Sequence, residues 1–126
     1  MNEQIEKWLY DIRFAIEEID SYFDNTGKIF VVFKQNIMMK RAIERNLEII
    51  GEATNRVLSR NPEIEITNAR GIVNLRNLVI HSYDNISDEN IWAIVINNLP
   101  KLKKEIDKLI LDENNTRRTG DYHQGV

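Results

Sequence analysis

The chain has 126 residues, no cysteine, 29% charged residues and a formal net charge of −3. That length suits one domain that buries about two-thirds of its extended surface without disulfides, and the lack of thiols excludes thiolate catalysis and Cys-ligated zinc. The acidic balance argues against bulk, sequence-independent DNA binding but leaves room for a local basic cleft.

The first helix is expected from Glu3 to about Asp24, with Ile5, Trp8, Leu9, Ile12, Ile16, Ile19 and Phe23 at helical spacing. Asp24-Asn25-Thr26-Gly27 then supplies turn chemistry, with Gly27 in the C-cap region. Lys28 to Phe33 alternates weakly, but nothing nearby offers a sheet to pair with. From Phe33 to Leu58 the pattern is helical, and Asn61-Pro62 should end it, because the residue before proline avoids the α region. Gly51 inside this helix costs about 1 kcal/mol against Ala, so another helix is expected to approach closely there.

Thr67 reads as the N-cap of a third helix reaching about Ser82, its apolar face being Ile72, Val73, Leu75, Leu78 and Val79. Ser87 or Asp88 caps a fourth helix carrying Ile91, Trp92, Ile94, Val95 and Leu99. Pro100 kinks or divides that helix, and Leu102, Ile106, Leu109 and Ile110 carry it on to about Asp112. The expected fold is therefore all-α, an up-and-down four-helix bundle with room for a fifth short helix after Pro100. Residues 1–112 form its single domain and residues 113–126 a polar, flexible tail. No apolar run approaches the ~20 residues of a membrane span. With no cysteine and no cleavable signal pattern, the expected location is the cytoplasm.

Most of the functional information lies in Arg76-Asn77-Leu78-Val79-Ile80-His81-Ser82-Tyr83. Arginine's planar fork suits a phosphate, and imidazole can move protons near neutral pH. His81 is also the only histidine outside the tail. On an ideal helix Arg76 and Tyr83 lie about 20° apart and Asn77 stacks beside His81, but His81 lies about 140° from Arg76. Either the helix unwinds near Asp84-Asn85, or two chains share one site. The plain competing account is a capped helix end, His81 serving its last carbonyls and Arg76 snorkelling.

Glu44, Glu48 and Glu52 recur every four residues on one face. Di-metal bundles want a Glu-x-x-His pair as well, which is missing, so no metal and no cofactor is expected. The row should instead pair with Lys40, Arg41, Arg45 and Arg56. Lys101, Lys103, Lys104 and Lys108 read as a solvated face, and Trp8 and Trp92 as core or interface residues.

Ala42-Ile43-Glu44-Arg45-Asn46-Leu47-Glu48-Ile49-Ile50-Gly51-Glu52-Ala53, then the Arg76–Tyr83 element, then Ile91-Trp92, resemble the HepT-like toxins of the HEPN superfamily. The likeness spans roughly Asp11 to Leu109. One departure is that many members carry a Trp shortly after the proline of the middle loop, where this chain has Ile64 and Ile66.

The resemblance implies a homodimeric helical bundle whose Arg/His motifs face each other across a composite cleft. It implies a metal-independent endoribonuclease toxin leaving 2′,3′-cyclic phosphate and 5′-hydroxyl ends. By position, Arg76 would hold the scissile phosphate, His81 would act as general base or acid, and Asn77 would support the motif. The implied partner, besides RNA, is a minimal nucleotidyltransferase antitoxin that silences the toxin by transferring AMP to Tyr83. The alternative is a non-catalytic partner of a nucleotidyltransferase that binds nucleotide in the same cleft.

Overall fold

The computed structural model describes residues 3–77 and 87–124, with side chains described as far as Asn115. Helices run in the order α1 (Glu3–Ser21), α2 (Phe30–Gln35), α3 (Ile37–Arg60), α4 (Ala69–Val73), α5 (Asp88–Ala93), a π-helical turn (Ile94–Asn98) and α6 (Leu99–Gln124). The described residues contain no strand, so the all-α expectation holds.

The frame is the packing of α1 against α3, with α6 on α1 and α4 on α3. Leu9, Ile12, Ile16 and Ile19 of α1 are buried with Ile43, Leu47, Ile50 and Val57 of α3 and with Ile106 and Ile110 of α6. Fully burying each such side chain contributes about 1.5–3 kcal/mol, so these stripes dominate the fold's stability. At one end Trp92 meets Phe23, Phe30 and Phe33 at centroid distances of 5.8, 5.7 and 5.3 Å. These aromatic contacts draw α2 and α5 together and place Trp92 against the core, as expected.

α1 ends at Ser21, and Gly27 (φ 73°) closes the following turns by donating to the Phe23 carbonyl at 2.7 Å. The ambiguous stretch after Lys28 is a short helix, not a strand. It does not run on into α3 because Asn36 adopts extended backbone, and its side chain accepts from the Met39 N–H at 3.0 Å. Asn36 is thus an N-cap inside what reads as one long helical pattern.

The third helix differs most from expectation. Thr67 does not cap it. Asn68, in the left-handed region at φ 55°, precedes α4, and α4 lasts only to Val73 before a turn at Asn74. Thr67 is taken instead by Glu105 of α6. The carboxylate accepts the Thr67 N–H at 3.1 and 3.2 Å and the hydroxyl at 2.7 Å. Ile64 and Ile66, which follow the proline of the middle loop, are buried.

Ser87 is the cap of α5, accepting from the Asn90 N–H at 3.1 Å. Pro100 stands in the first turn of α6, directly after the π-helical turn that separates α6 from α5. Proline has no N–H and its ring clashes with the carbonyl four residues back. The π-helical turn before it, in which the Leu99 N–H reaches the Ile94 carbonyl five residues back, accommodates that defect. What was expected as a fifth short helix is therefore the longest helix, and it runs past Asp112 to Gln124. Among the described residues, no helix is long and apolar enough to cross a membrane.

Candidate active site

Arg76 lies in a helical stretch, Leu75 to Asn77, that follows the Asn74 turn. Leu75 is buried and anchors this stretch, while Asn77 is exposed, its N–H donating to the Asn74 carbonyl at 3.0 Å. The Asn74 turn lies before Arg76, so it leaves the ~140° separation of Arg76 and His81 on an ideal helix untouched. His81 and Tyr83 lie outside the described residues, as does the Asp84-Asn85 segment where unwinding was considered.

The floor beneath Arg76 is Gly51 of α3. A Cβ at that position would stand 2.8 Å from the Arg76 backbone nitrogen and 3.1 Å from the carbonyl oxygens of Ile72 and Val73. Every one of those atoms is backbone, so no rotamer change can relieve the overlap. Close approach at Gly51 was expected from sequence, and here it brings the Arg76 backbone directly onto α3.

The next residue on α3 is Glu52. Its Oε2 accepts from Arg76 Nη1 at 3.1 Å, with the two side chains 44% and 30% exposed. Its other oxygen, Oε1, lies 3.5 Å from Arg56 Nε. The sequence assigned Glu52 to pairing along its own helix. Arg56 fulfils that part, but the cross-helix pair with Arg76 was missed, because it depends on the approach over Gly51. The rest of the row divides differently from expectation. Arg41 pairs with Glu44, whereas Lys40 turns away to Asp88 of α5 at 3.3 Å.

Beside this pair runs a groove of about 320 Å³ between α1 and α3, lined by Trp8, Arg45, Glu48, Glu52 and Arg56 among others. Arg60 stands 5.7 Å from the Trp8 ring centroid, so Trp8 is held by a cation–π contact at the rim of the core. Arg76 is therefore a tethered, partly exposed guanidinium whose partner Glu52 lines the groove. Such a group can bind and orient an anion bidentately through its remaining N–H donors. No cluster of three potential metal-binding side chains occurs among the described residues.

The described residues form an all-helical protein, and sequence comparison gives the family to which it belongs. A profile described as "Ribonuclease HepT-like" matches residues 12–109. The chain belongs to this HepT-like ribonuclease family of the HEPN superfamily.

Relatives include a provisionally named RNase of Methanocaldococcus jannaschii, 33% identical over 115 residues covering 87% of this chain and 90% of that protein. A second from the same organism, named in the same way, is 35% identical over 82% of this chain and 94% of its own length. A Thermococcus cleftensis protein, provisionally named ribonuclease HepT, is 32% identical over 86% of this chain and 98% of its own length. No solved structure gave a significant match.

Proposed function

We propose that the chain is the toxin of a toxin–antitoxin pair and a metal-independent endoribonuclease, with Arg76 and His81 as its catalytic residues. The observation that carries this reading is the fixed presentation of Arg76. Its backbone rests on Gly51 and its guanidinium is tied to Glu52 beside an open groove, in a chain whose family is one of ribonucleases.

In this reading the Arg76 guanidinium binds the scissile phosphate and stabilises the charge that develops on it. His81 takes the proton from the ribose 2′-hydroxyl, or returns one to the leaving 5′-oxygen. Attack of the 2′-oxygen on its own phosphorus forms a 2′,3′-cyclic phosphate and expels a 5′-hydroxyl, and no water enters the step. General acid–base catalysis contributes about 10²–10⁴-fold, and a preorganised guanidinium a comparable electrostatic factor. Asn77, adjacent to Arg76, supports the motif. A second copy of the chain completes the cleft.

Neutralisation by a minimal nucleotidyltransferase fits the same site. Transfer of AMP from ATP to the Tyr83 hydroxyl would proceed with pyrophosphate leaving and the phenol proton lost. It would add a phosphodiester to the same Arg76–Tyr83 element, an anion of the protein's own to compete with the substrate phosphate. The chain's acidic balance keeps it off bulk nucleic acid, so that only the cleft attracts RNA.

The test is RNA cleavage in EDTA by the purified chain beside its His81→Ala and Arg76→Ala variants. The expected result is cleavage by the wild type alone. Equal background cleavage by all three, with Tyr83 shown unmodified by mass spectrometry, would overturn the reading in favour of a nucleotide-binding partner without activity.

A further inference from the structure

Glu52 is an unexpected neighbour for a phosphate-binding arginine, because a carboxylate repels the anion the arginine is meant to attract. Its geometry gives a reason for its presence. One oxygen accepts from Arg76 Nη1 at 3.1 Å and the other lies 3.5 Å from Arg56 Nε, so a single negative charge is shared between two positive ones. The trio keeps a net positive charge toward solvent, and the Arg76 fork has four further N–H donors for a ligand. The side chains of the pair are 30% and 44% exposed, so the pair adds little to stability. What it does supply is orientation, since a long, flexible side chain is fixed at its tip as well as at its backbone over Gly51.

We propose that Glu52 is the positioning residue for Arg76, holding the guanidinium in the orientation that stabilises charge developing on the scissile phosphate. This rests on the nuclease reading above. A positioning carboxylate has a distinct kinetic signature. Removing it loosens Arg76, which lowers kcat, but it also removes a negative charge from the cleft, so ground-state attraction for RNA does not weaken and KM does not rise. Small displacements of a catalytic group cost large factors, and loss of the tether is expected to lower kcat about tenfold.

The experiment is steady-state cleavage of a short RNA by the full-length wild type, Glu52→Ala and Glu52→Gln, with Glu52→Ala repeated in an Arg76→Lys background. Rates are scaled to the folded fraction from circular dichroism. Glu52→Ala should lose about tenfold in kcat with KM unchanged or lower. Glu52→Gln, which keeps an acceptor oxygen at the same reach, should recover most of it, and in the Arg76→Lys background Glu52→Ala should change kcat less than about twofold.

An unchanged kcat, a raised KM, or the same kcat ratio in both backgrounds would overturn the role of Glu52 alone, provided the wild type cleaves and Arg76→Lys is impaired. A wild type that cleaves no RNA would remove the nuclease reading and this role with it.

Discussion

The backbone nitrogen of Arg76 lies where only the missing Cβ of Gly51 leaves room for it, 2.8 Å from the position that carbon would take. The glycine thus links a packing requirement on α3 to the placement of the candidate catalytic arginine. Gly51→Ala should gain about 1 kcal/mol of helix propensity but force α4 and the Arg76 backbone off α3. A net loss of about 1–3 kcal/mol is expected in urea unfolding. Cleavage per folded molecule should fall too, because the displaced atoms are those that carry Arg76. A protein of unchanged stability and activity would show that the close approach is unimportant.

Glu105 secures the segment leading into α4. It accepts from both the Thr67 N–H and hydroxyl, so Glu105→Ala leaves two donors to water and frees the Asn61–Asn68 connection from α6. A loss of about 1–3 kcal/mol is expected, since hydrogen bonds to a charged acceptor are at the strong end of the range. Thr67→Val removes only the hydroxyl and should cost less. Thermal melts of the two variants check the order.

Asn46 is 3% exposed, and its side-chain amide donates to the Tyr22 hydroxyl at 2.8 Å, which donates to Glu18 at 3.1 Å. Asn46→Ala should destabilise by about 1–3 kcal/mol, breaking a part-buried chain of hydrogen bonds that begins at a buried amide. Burial pushes the Tyr22 phenol above its ordinary value, with Glu18 adding to the rise and Asn46 opposing it. A raised folded-state pKa favours the neutral form. The stability from this group is therefore whole below the unfolded tyrosine's value near 10 and is lost as pH rises through the folded value. Ultraviolet titration should show a late-ionising component that disappears in Tyr22→Phe.

Much of the fold was legible because apolar residues at helical spacing reveal α1, α3 and α6, and Gly51 announced the close approach. What was not legible depended on single polar residues. Asn36 divides one apolar pattern into two helices by capping the second. Asn68, in the left-handed region, takes the N-cap position expected for Thr67, whose hydroxyl is held by a carboxylate 38 residues away. Pro100 is expected to kink or divide a helix, and a π-helical turn ending at Asn98 is the irregularity found there, which apolar spacing does not reveal. At the site, Arg76 could be singled out by its chemistry. Its partner Glu52 could not, because periodicity along α3 groups Glu52 with Arg56 and carries no information about what crosses over Gly51.

The most direct test of the central claim is the chemistry of the ends left when the purified chain cuts RNA in EDTA, read by mass spectrometry of the fragments. The account predicts 2′,3′-cyclic phosphate and 5′-hydroxyl ends, absent with Arg76→Ala and His81→Ala. Fragments ending in 3′-hydroxyl and 5′-phosphate, or cleavage abolished by EDTA and restored by a divalent metal, would contradict it.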